Sequence, residues 1–176
     1  MFRKYPLVEV SVRNGAIAGV LGMVLLIGLY YLGHHPFLIP VFFDFRIILF
    51  GVFIFFTLKE FRDYFQQGVL FFWQGMMMSL LFTSLFAIIA FLIIWGFSGW
   101  KPGFVSSYIA LTVEQARAMP PEIIERIGKA NYENSIKALP ATRGIDLALL
   151  YFGQSFVISF FLSIIISVVL RRQPKP

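Results

Sequence analysis

The chain has 176 residues, of which 59% are hydrophobic and only 14% are charged, and its net charge is +6 at pH 7. Soluble domains average about 45–50% apolar and about 25% charged residues, and a chain this short could not bury 22 phenylalanines in one aqueous core. The composition therefore excludes a soluble globular fold and predicts that lipid is the solvent for much of the surface.

Four apolar runs predict an all-α integral membrane protein, because backbone groups in lipid must hydrogen-bond within their own segment. The runs contain no Asp, Glu, Lys or Arg except Asp44 and Arg46, which lie near the start of the second run. We predict a single membrane domain of residues 1–176 with spans at about 15–33, 40–58, 71–97 and 147–170. The segment of residues 101–146 is then an extracytoplasmic loop.

The distribution of basic residues predicts the orientation of these spans, because Lys and Arg concentrate in cytoplasmic flanks. With four spans, one side of the membrane carries Arg3, Lys4, Arg13, Lys59, Arg62, Arg171, Arg172 and Lys175. The short connection on the other side, at residues 33–40, carries none. We therefore predict that both termini are cytoplasmic. The positive charge is accounted for by flanks that attract anionic headgroups, so no nucleic-acid partner is expected.

Small residues within two of the spans predict close helix packing. Span one contains Gly15, Gly19 and Gly22, which allow another helix backbone to approach closely. In span four a serine recurs at every fourth position, and we name Ser155, Ser159, Ser163 and Ser167 the serine stripe. Each hydroxyl can bond the carbonyl one turn back, so the stripe is tolerated in lipid. We predict a packing surface; the alternative is a polar lining for a solute path.

Asp44 and Arg46 are the only charged residues inside a predicted span. Residues two apart do not face each other on a helix, so we predict that each pairs with the loop of residues 101–146 or extends to the membrane interface. The alternative is a functional charge pair. Either interpretation makes both residues possible contacts for a partner.

The sequence KEFRDYFQQG at residues 59–68 connects spans two and three on the cytoplasmic side. Its charged residues Lys59, Glu60, Arg62 and Asp63 are spaced so that neighbouring opposite charges can pair at the water interface. We predict a solvated connector that ends at the turn residue Gly68. A partner-binding site is the alternative, whereas nucleophilic chemistry lacks its Ser, His or Cys.

The loop of residues 101–146 predicts a helical cap rather than a domain, because it is too short for its own core. One helix is expected over residues 106–119 and a second from Pro120-Pro121 to just before Pro140. The second helix has acid-first pairs four residues apart, which favour helical structure: Glu122–Arg126, Glu125–Lys129 and Glu133–Lys137.

The connector also resembles a known family signature. KEFRD at residues 59–63, followed by G-x-x-F-x-x-Q-G at residues 68–75, looks like the cytoplasmic signature of an uncharacterised bacterial family, domain of unknown function number 4199. RNG at residues 13–15 and LRR at residues 170–172 are similar too, whereas Gln74-Gly75 departs from the small residue that often follows the Phe-x-x motif. The resemblance implies a four-span protein of the bacterial inner membrane and carries over no activity and no site residues.

The residue inventory predicts a protein that is not an enzyme and uses no cofactor. The adjacent His34 and His35 lack further ligands for a metal site and are expected in an interfacial turn. The predicted function is a non-catalytic accessory, scaffold or assembly subunit, whose partners are the lipid bilayer and other membrane subunits or a second copy. The alternative is a small oligomeric transporter or channel for a small solute.

Overall fold

The computed structural model describes residues 5–40 and 43–173. Within these residues the regular structure is helical, with no β-strand beyond one isolated bridge. The α-helices are α1 Pro6–Tyr31, α2 Phe45–Glu60, α3 Phe72–Trp100, α4 Pro102–Arg117, α5 Pro121–Ile127, α6 Lys129–Ala138 and α7 Gly144–Leu170. Short 3₁₀ turns at Pro36–Leu38 and Leu139–Ala141 precede α2 and α7.

Three of the helices are long and apolar enough to cross a membrane. Helices α1, α3 and α7 have 26, 29 and 27 residues. At roughly 1.5 Å per residue each exceeds the hydrocarbon thickness of about 30 Å. The protein is therefore a helical membrane protein, and these helices contain the predicted spans at about 15–33, 71–97 and 147–170 apart from the turn that follows Tyr31.

Helix α2 is shorter than the predicted span at about 40–58, because it begins only at Phe45 and has 16 residues. Asp44 is its N-cap, and the carboxylate accepts a hydrogen bond from the backbone N–H of Arg46 at 2.9 Å. The helix continues as a π-helical turn over Phe61–Phe65. The chain then reverses at Gln67 and Gly68, whose φ angles of 50° and 86° are left-handed.

Helix α3 is the centre of the bundle and packs against α1 on one side and α7 on the other. The approach to α1 is closest at Gly15, where an added methyl group would lie 2.7 Å from the carbonyl oxygen of Phe82. The approach to α7 is closest at Gly144, where the added methyl group would overlap Ser98 Oγ of α3. At Gly75 it would lie 2.5 Å from Ser167 Oγ. Small residues thus bring both helices into backbone range of α3.

The loop of residues 101–146 forms a cap of three helices at one end of the bundle. Helix α4 begins at Pro102, earlier than the expected helix of residues 106–119, and it buries Phe104. The expected second helix is broken at Gly128, whose φ of 92° separates α5 from α6. Neither of these two helices buries a residue, and none of the three expected acid–base pairs lies within salt-bridge distance in this described segment.

Candidate functional site

The residue pair Asp44 and Arg46 forms a buried ion pair at the start of α2. Arg46 is 4% exposed, and its Nε donates to both carboxylate oxygens of Asp44 at 3.0 and 2.8 Å. The expectation that these residues cannot face each other was wrong, because Asp44 precedes the helix. Its φ of −67° and ψ of 119° are extended, so its side chain folds back over the first turn of α2.

The same guanidinium joins α2 to α7. Its Nη1 donates to the carbonyl oxygen of Tyr151 and to Ser155 Oγ, each at 3.2 Å, and its Nη2 donates to Gln154 Oε1 at 2.9 Å. With the second bond from Nη2 to Asp44, all five N–H groups of Arg46 have an acceptor. The prediction that Arg46 pairs with the loop of residues 101–146 was therefore wrong, because its partners are Asp44 and residues of α7.

Burial makes the hydrogen bonds of this cluster important for the stability of the fold. Two charges taken out of water carry a desolvation cost of several kcal/mol, which close and complete hydrogen bonding offsets. The ring of Tyr151 adds a cation–π contact, with the guanidinium carbon 3.9 Å from the ring centroid. The cluster lies seven to eleven residues into α7, about 10–16 Å along that helix at roughly 1.5 Å per residue.

The serine stripe continues from this cluster along the contact between α7 and α3. Its four members are at most 3% exposed. Ser155 Oγ donates to the carbonyl oxygen of Tyr151 at 2.8 Å, Ser163 Oγ donates to that of Ser159 at 2.6 Å, and Ser159 shares a hydrogen bond with the Thr83 hydroxyl of α3. Three of the four hydroxyls are thus occupied within the bundle, whereas the buried hydroxyl of Ser167 has no hydrogen-bond partner in the described structure.

The glycines of span one lie on the face of α1 that contacts α3. Beyond Gly15, a methyl group added at Gly19 would lie 3.1 Å from the side chain of Ile89, and one at Gly22 would lie 2.8 Å from the ring of Phe86. These neighbours are side chains rather than backbone. Gly15 is therefore the position where an added side chain could fit only if the helix backbones moved apart.

Two open grooves run beside the polar residues. One, of about 450 Å³, lies between α3 and α7, with walls that include Leu80, Phe156 and Phe160 and a floor that includes Thr83 and Ser159. The other, of about 390 Å³, is lined by Arg46, Gln154 and apolar residues of α7. Both grooves are dominated by apolar surface.

At the opposite end of the bundle, the connector of residues 59–68 is tied to its neighbours rather than fully solvated. Glu60 accepts from Arg13 of α1 at 2.5 and 2.6 Å through its two oxygens, so its partner is not the neighbour that the sequence spacing indicated. Arg62 is 9% exposed and donates to Asp63 at 2.7 Å, and this hydrogen bond holds the pKa of the Asp63 carboxyl below its ordinary value. Lys59 forms no salt bridge among the described residues.

His34 is exposed, as the prediction of an interfacial turn requires, but His35 is 6% exposed and lies among aromatic rings. Its Nε2 lies 3.1 Å from the carbonyl oxygen of Phe104, and this contact joins the turn before α2 to α4.

Across the part of the chain that the structure describes, no group of three His, Asp or Glu side chains is arranged to hold a metal ion.

The fold and this cluster define a helical membrane protein in which a buried ion pair and a line of hydroxyls join the membrane helices. The model of the family described as "Protein of unknown function (DUF4199)" matches residues 13–172. The chain belongs to this family, which confirms the resemblance found in its motifs. No curated protein and no solved structure matches the chain.

Proposed function

We propose that the protein is a non-catalytic subunit of a membrane complex, with an accessory, scaffold or assembly role. It resides in the bacterial inner membrane, crosses it four times and has both termini in the cytoplasm. Family membership, the three long apolar helices and the positions of the basic residues support this proposal.

The fourth crossing is formed by α2 and the segments at its two ends. Helix α2 has 16 residues and the π-helical turn adds five, about 30 Å of helix at roughly 1.5 Å per residue. Helix α2 packs against both α1 and α7. Its apolar composition and the burial of Phe50, Ile54 and Leu58 support a place within the bundle rather than on the membrane surface.

One observation supports the non-catalytic role. Each of the five N–H groups of the buried Arg46 guanidinium donates a hydrogen bond to an acceptor within the chain. A group that binds a substrate needs free hydrogen-bonding capacity, and this guanidinium has none. Its geometry therefore favours a fixed connection between helices. Activity is then exerted through the outer surface of the bundle, on other membrane chains.

The test is the composition of the protein in native lipid. The protein is affinity-tagged and extracted together with its surrounding lipid. The molar mass of the extracted protein assembly is then compared with that of the 20.2 kDa monomer. The proposal predicts a defined complex with a fixed ratio of other membrane chains or of further copies. A monodisperse monomer after extraction at several expression levels would contradict it.

A second function, a transporter or channel for a small solute, is favoured by the groove of about 390 Å³ beside Arg46 and Gln154. The double variant Asp44→Asn with Arg46→Met distinguishes the two functions, because it removes both charges and keeps an N-cap residue. A subunit role predicts that the complex survives this change. A transport role predicts that solute flux in liposomes is lost while the protein remains folded and assembled.

A further inference from the structure

His35 is enclosed by aromatic rings from three parts of the fold. Its ring centroid lies 6.0 Å from that of Tyr30 in α1, 5.9 Å from that of Phe37 and 4.9 Å from that of Phe104 in α4, where the rings are stacked. Tyr108 of α4 completes the enclosure at 5.5 Å. A titratable side chain therefore forms the contact between the turn before α2 and the cap.

The hydrogen bond of His35 determines its tautomer. A carbonyl oxygen only accepts, so the Nε2 atom that lies 3.1 Å from the Phe104 oxygen must carry the proton. The other ring nitrogen, Nδ1, is then a bare acceptor in the neutral form. It is buried and has no hydrogen-bond partner in the described structure. Protonation would create a second N–H group at Nδ1, and no hydrogen-bond acceptor lies within reach of that atom in the described structure.

The groups around His35 give little compensation for a positive charge. Tyr30 and Tyr31 of α1 and Tyr108 of α4 are neutral, and the exposed His34 adjoins it in the chain. Lys101, which precedes α4 and lines the same cleft, is itself a cation. Phe37 separates His35 from Tyr151 of α7.

Burial accordingly lowers the pKa of His35 from its ordinary 6.5, and the hydrogen bond to Phe104 opposes this only in part.

A line of ring contacts leads from His35 to the buried ion pair. Phe37, whose ring is adjacent to that of His35, has its centroid 5.7 Å from that of Tyr151. The ring of Tyr151 in turn supports the guanidinium of Arg46 at 3.9 Å. The same segment of chain continues to Asp44, the N-cap of α2. The turn that carries His35 is therefore connected to Arg46 through the rings of Phe37 and Tyr151.

We propose that His35 is a pH sensor: its protonation releases the turn of residues 33–40 from α4 and loosens the packing of Phe37 against Tyr151. The neutral form holds the turn closed. Because the released form binds a proton more readily, the closed form loses stability as pH falls from about 6.5 through the lower pKa of the closed form. Each pKa unit between the two forms shifts the equilibrium about tenfold on full protonation.

The chain contains two histidines, so the variant His34→Gln leaves His35 as the single histidine for titration by NMR. In lipid nanodiscs we expect the nitrogen shifts of the neutral Nε2–H tautomer and a midpoint below 6.5. Hydrogen exchange, corrected for its intrinsic pH dependence, should rise at residues 33–40 and 102–108 as pH falls through that midpoint, by about tenfold for each pKa unit between 6.5 and the measured midpoint. Residues 80–90 in the centre of α3 should not change.

The variant His35→Phe keeps an aromatic ring but cannot titrate, so its exchange at residues 33–40 should be independent of pH. His35→Gln, which keeps a side-chain N–H donor, serves the same purpose if the Phe variant does not fold, and His34→Phe is the matched control that retains the response. A His35 midpoint at or above 6.5 in the nitrogen shifts of the His34→Gln variant, or exchange that stays pH-dependent in the non-titrating variants, would overturn the proposal.

Discussion

Arg46 contacts Tyr151 twice: its Nη1 donates to the backbone oxygen at 3.2 Å, and its guanidinium carbon lies 3.9 Å from the centroid of the ring. The first contact fixes α2 to the backbone of α7, and the second covers the charge with an aromatic face. Asp44 neutralises the same cation from the other side. One side chain thus connects a short helix to one of the long membrane helices.

This arrangement predicts strong non-additivity between Asp44 and Arg46. Arg46→Met alone leaves a buried carboxylate, and Asp44→Asn alone leaves a buried guanidinium, so each should lower the free energy of unfolding by about 3–5 kcal/mol. The double variant leaves no unpaired charge and should lose much less than the sum of the two. Unfolding by denaturing detergent in mixed micelles measures all three values.

The matched control is Arg143→Met, which opens the exposed ion pair with Asp146, where the Arg143 side chain is 75% exposed. Exposed pairs contribute little, so its free energy of unfolding should be nearly that of the wild type. Additive effects of Asp44→Asn and Arg46→Met would show that the two residues act independently and that their contact carries no stability.

The contact between α1 and α3 predicts opposite effects for two glycines of one helix. Gly15→Ala places a methyl group 2.7 Å from the backbone oxygen of Phe82, which cannot rotate away, and should cost about 1–3 kcal/mol of unfolding free energy. Gly28 has nothing within 4 Å of the added carbon. Gly28→Ala should therefore raise the free energy by about 0.4–1 kcal/mol. Equal effects at both sites would contradict the observed approach of the helices.

Because the serine stripe is buried, we expect the free energy of unfolding to depend on the volume of the side chain at these positions rather than on its hydroxyl group. Ser159→Leu should force α7 away from Thr83 and lower the free energy of unfolding by about 1–3 kcal/mol. Ser159→Ala should cost only about 0.6 kcal/mol, the average for a hydrogen bond between membrane helices. Phe160→Leu, at a neighbouring position that is 55% exposed, is the control and should be silent. A larger loss for Ala than for Leu would exclude close packing there.

The connector predicts tolerance of neutral substitutions. The Arg13–Glu60 pair has side chains that are 51% and 29% exposed, and the Asp63 side chain is 37% exposed. Glu60→Gln and Asp63→Asn should therefore leave the amount of membrane-inserted protein and of recovered complex unchanged. A complex that dissociates in either variant, with normal insertion, would identify the connector as a partner-binding site.

The sequence predicts the long helices well, because uncharged runs in lipid leave the chain no other regular structure. It predicts the cluster around Arg46 poorly. The spacing argument assumed that Asp44 and Arg46 both lie within a helix, whereas Asp44 is an extended N-cap. Gln154 and Tyr151 lie more than a hundred residues along the chain from Arg46, so no local pattern connects them.

In the cap too, some features are predictable from the sequence and others are not. Proline at the first turn correctly indicates the start of α5, because its fixed φ suits that position, whereas the start of α4 at Pro102 was placed too late, at residue 106. The break at Gly128 was missed, since an isolated glycine in a polar helical pattern gives a weak signal. Burial of His35 was also missed, because its aromatic neighbours come from α1 and α4 as well as from its own turn.

The central claim is that α2 crosses the membrane as the fourth span, and the chain's lack of cysteine allows a direct test. Single cysteines at the exposed positions His34, Gln67 and Ser135 are labelled with a membrane-impermeant maleimide in intact cells and again after permeabilisation. Four spans predict that His34 and Ser135 react from outside, whereas Gln67 reacts only after permeabilisation. Reaction of His34 and Gln67 from the same side would show that α2 does not cross, and would contradict the account.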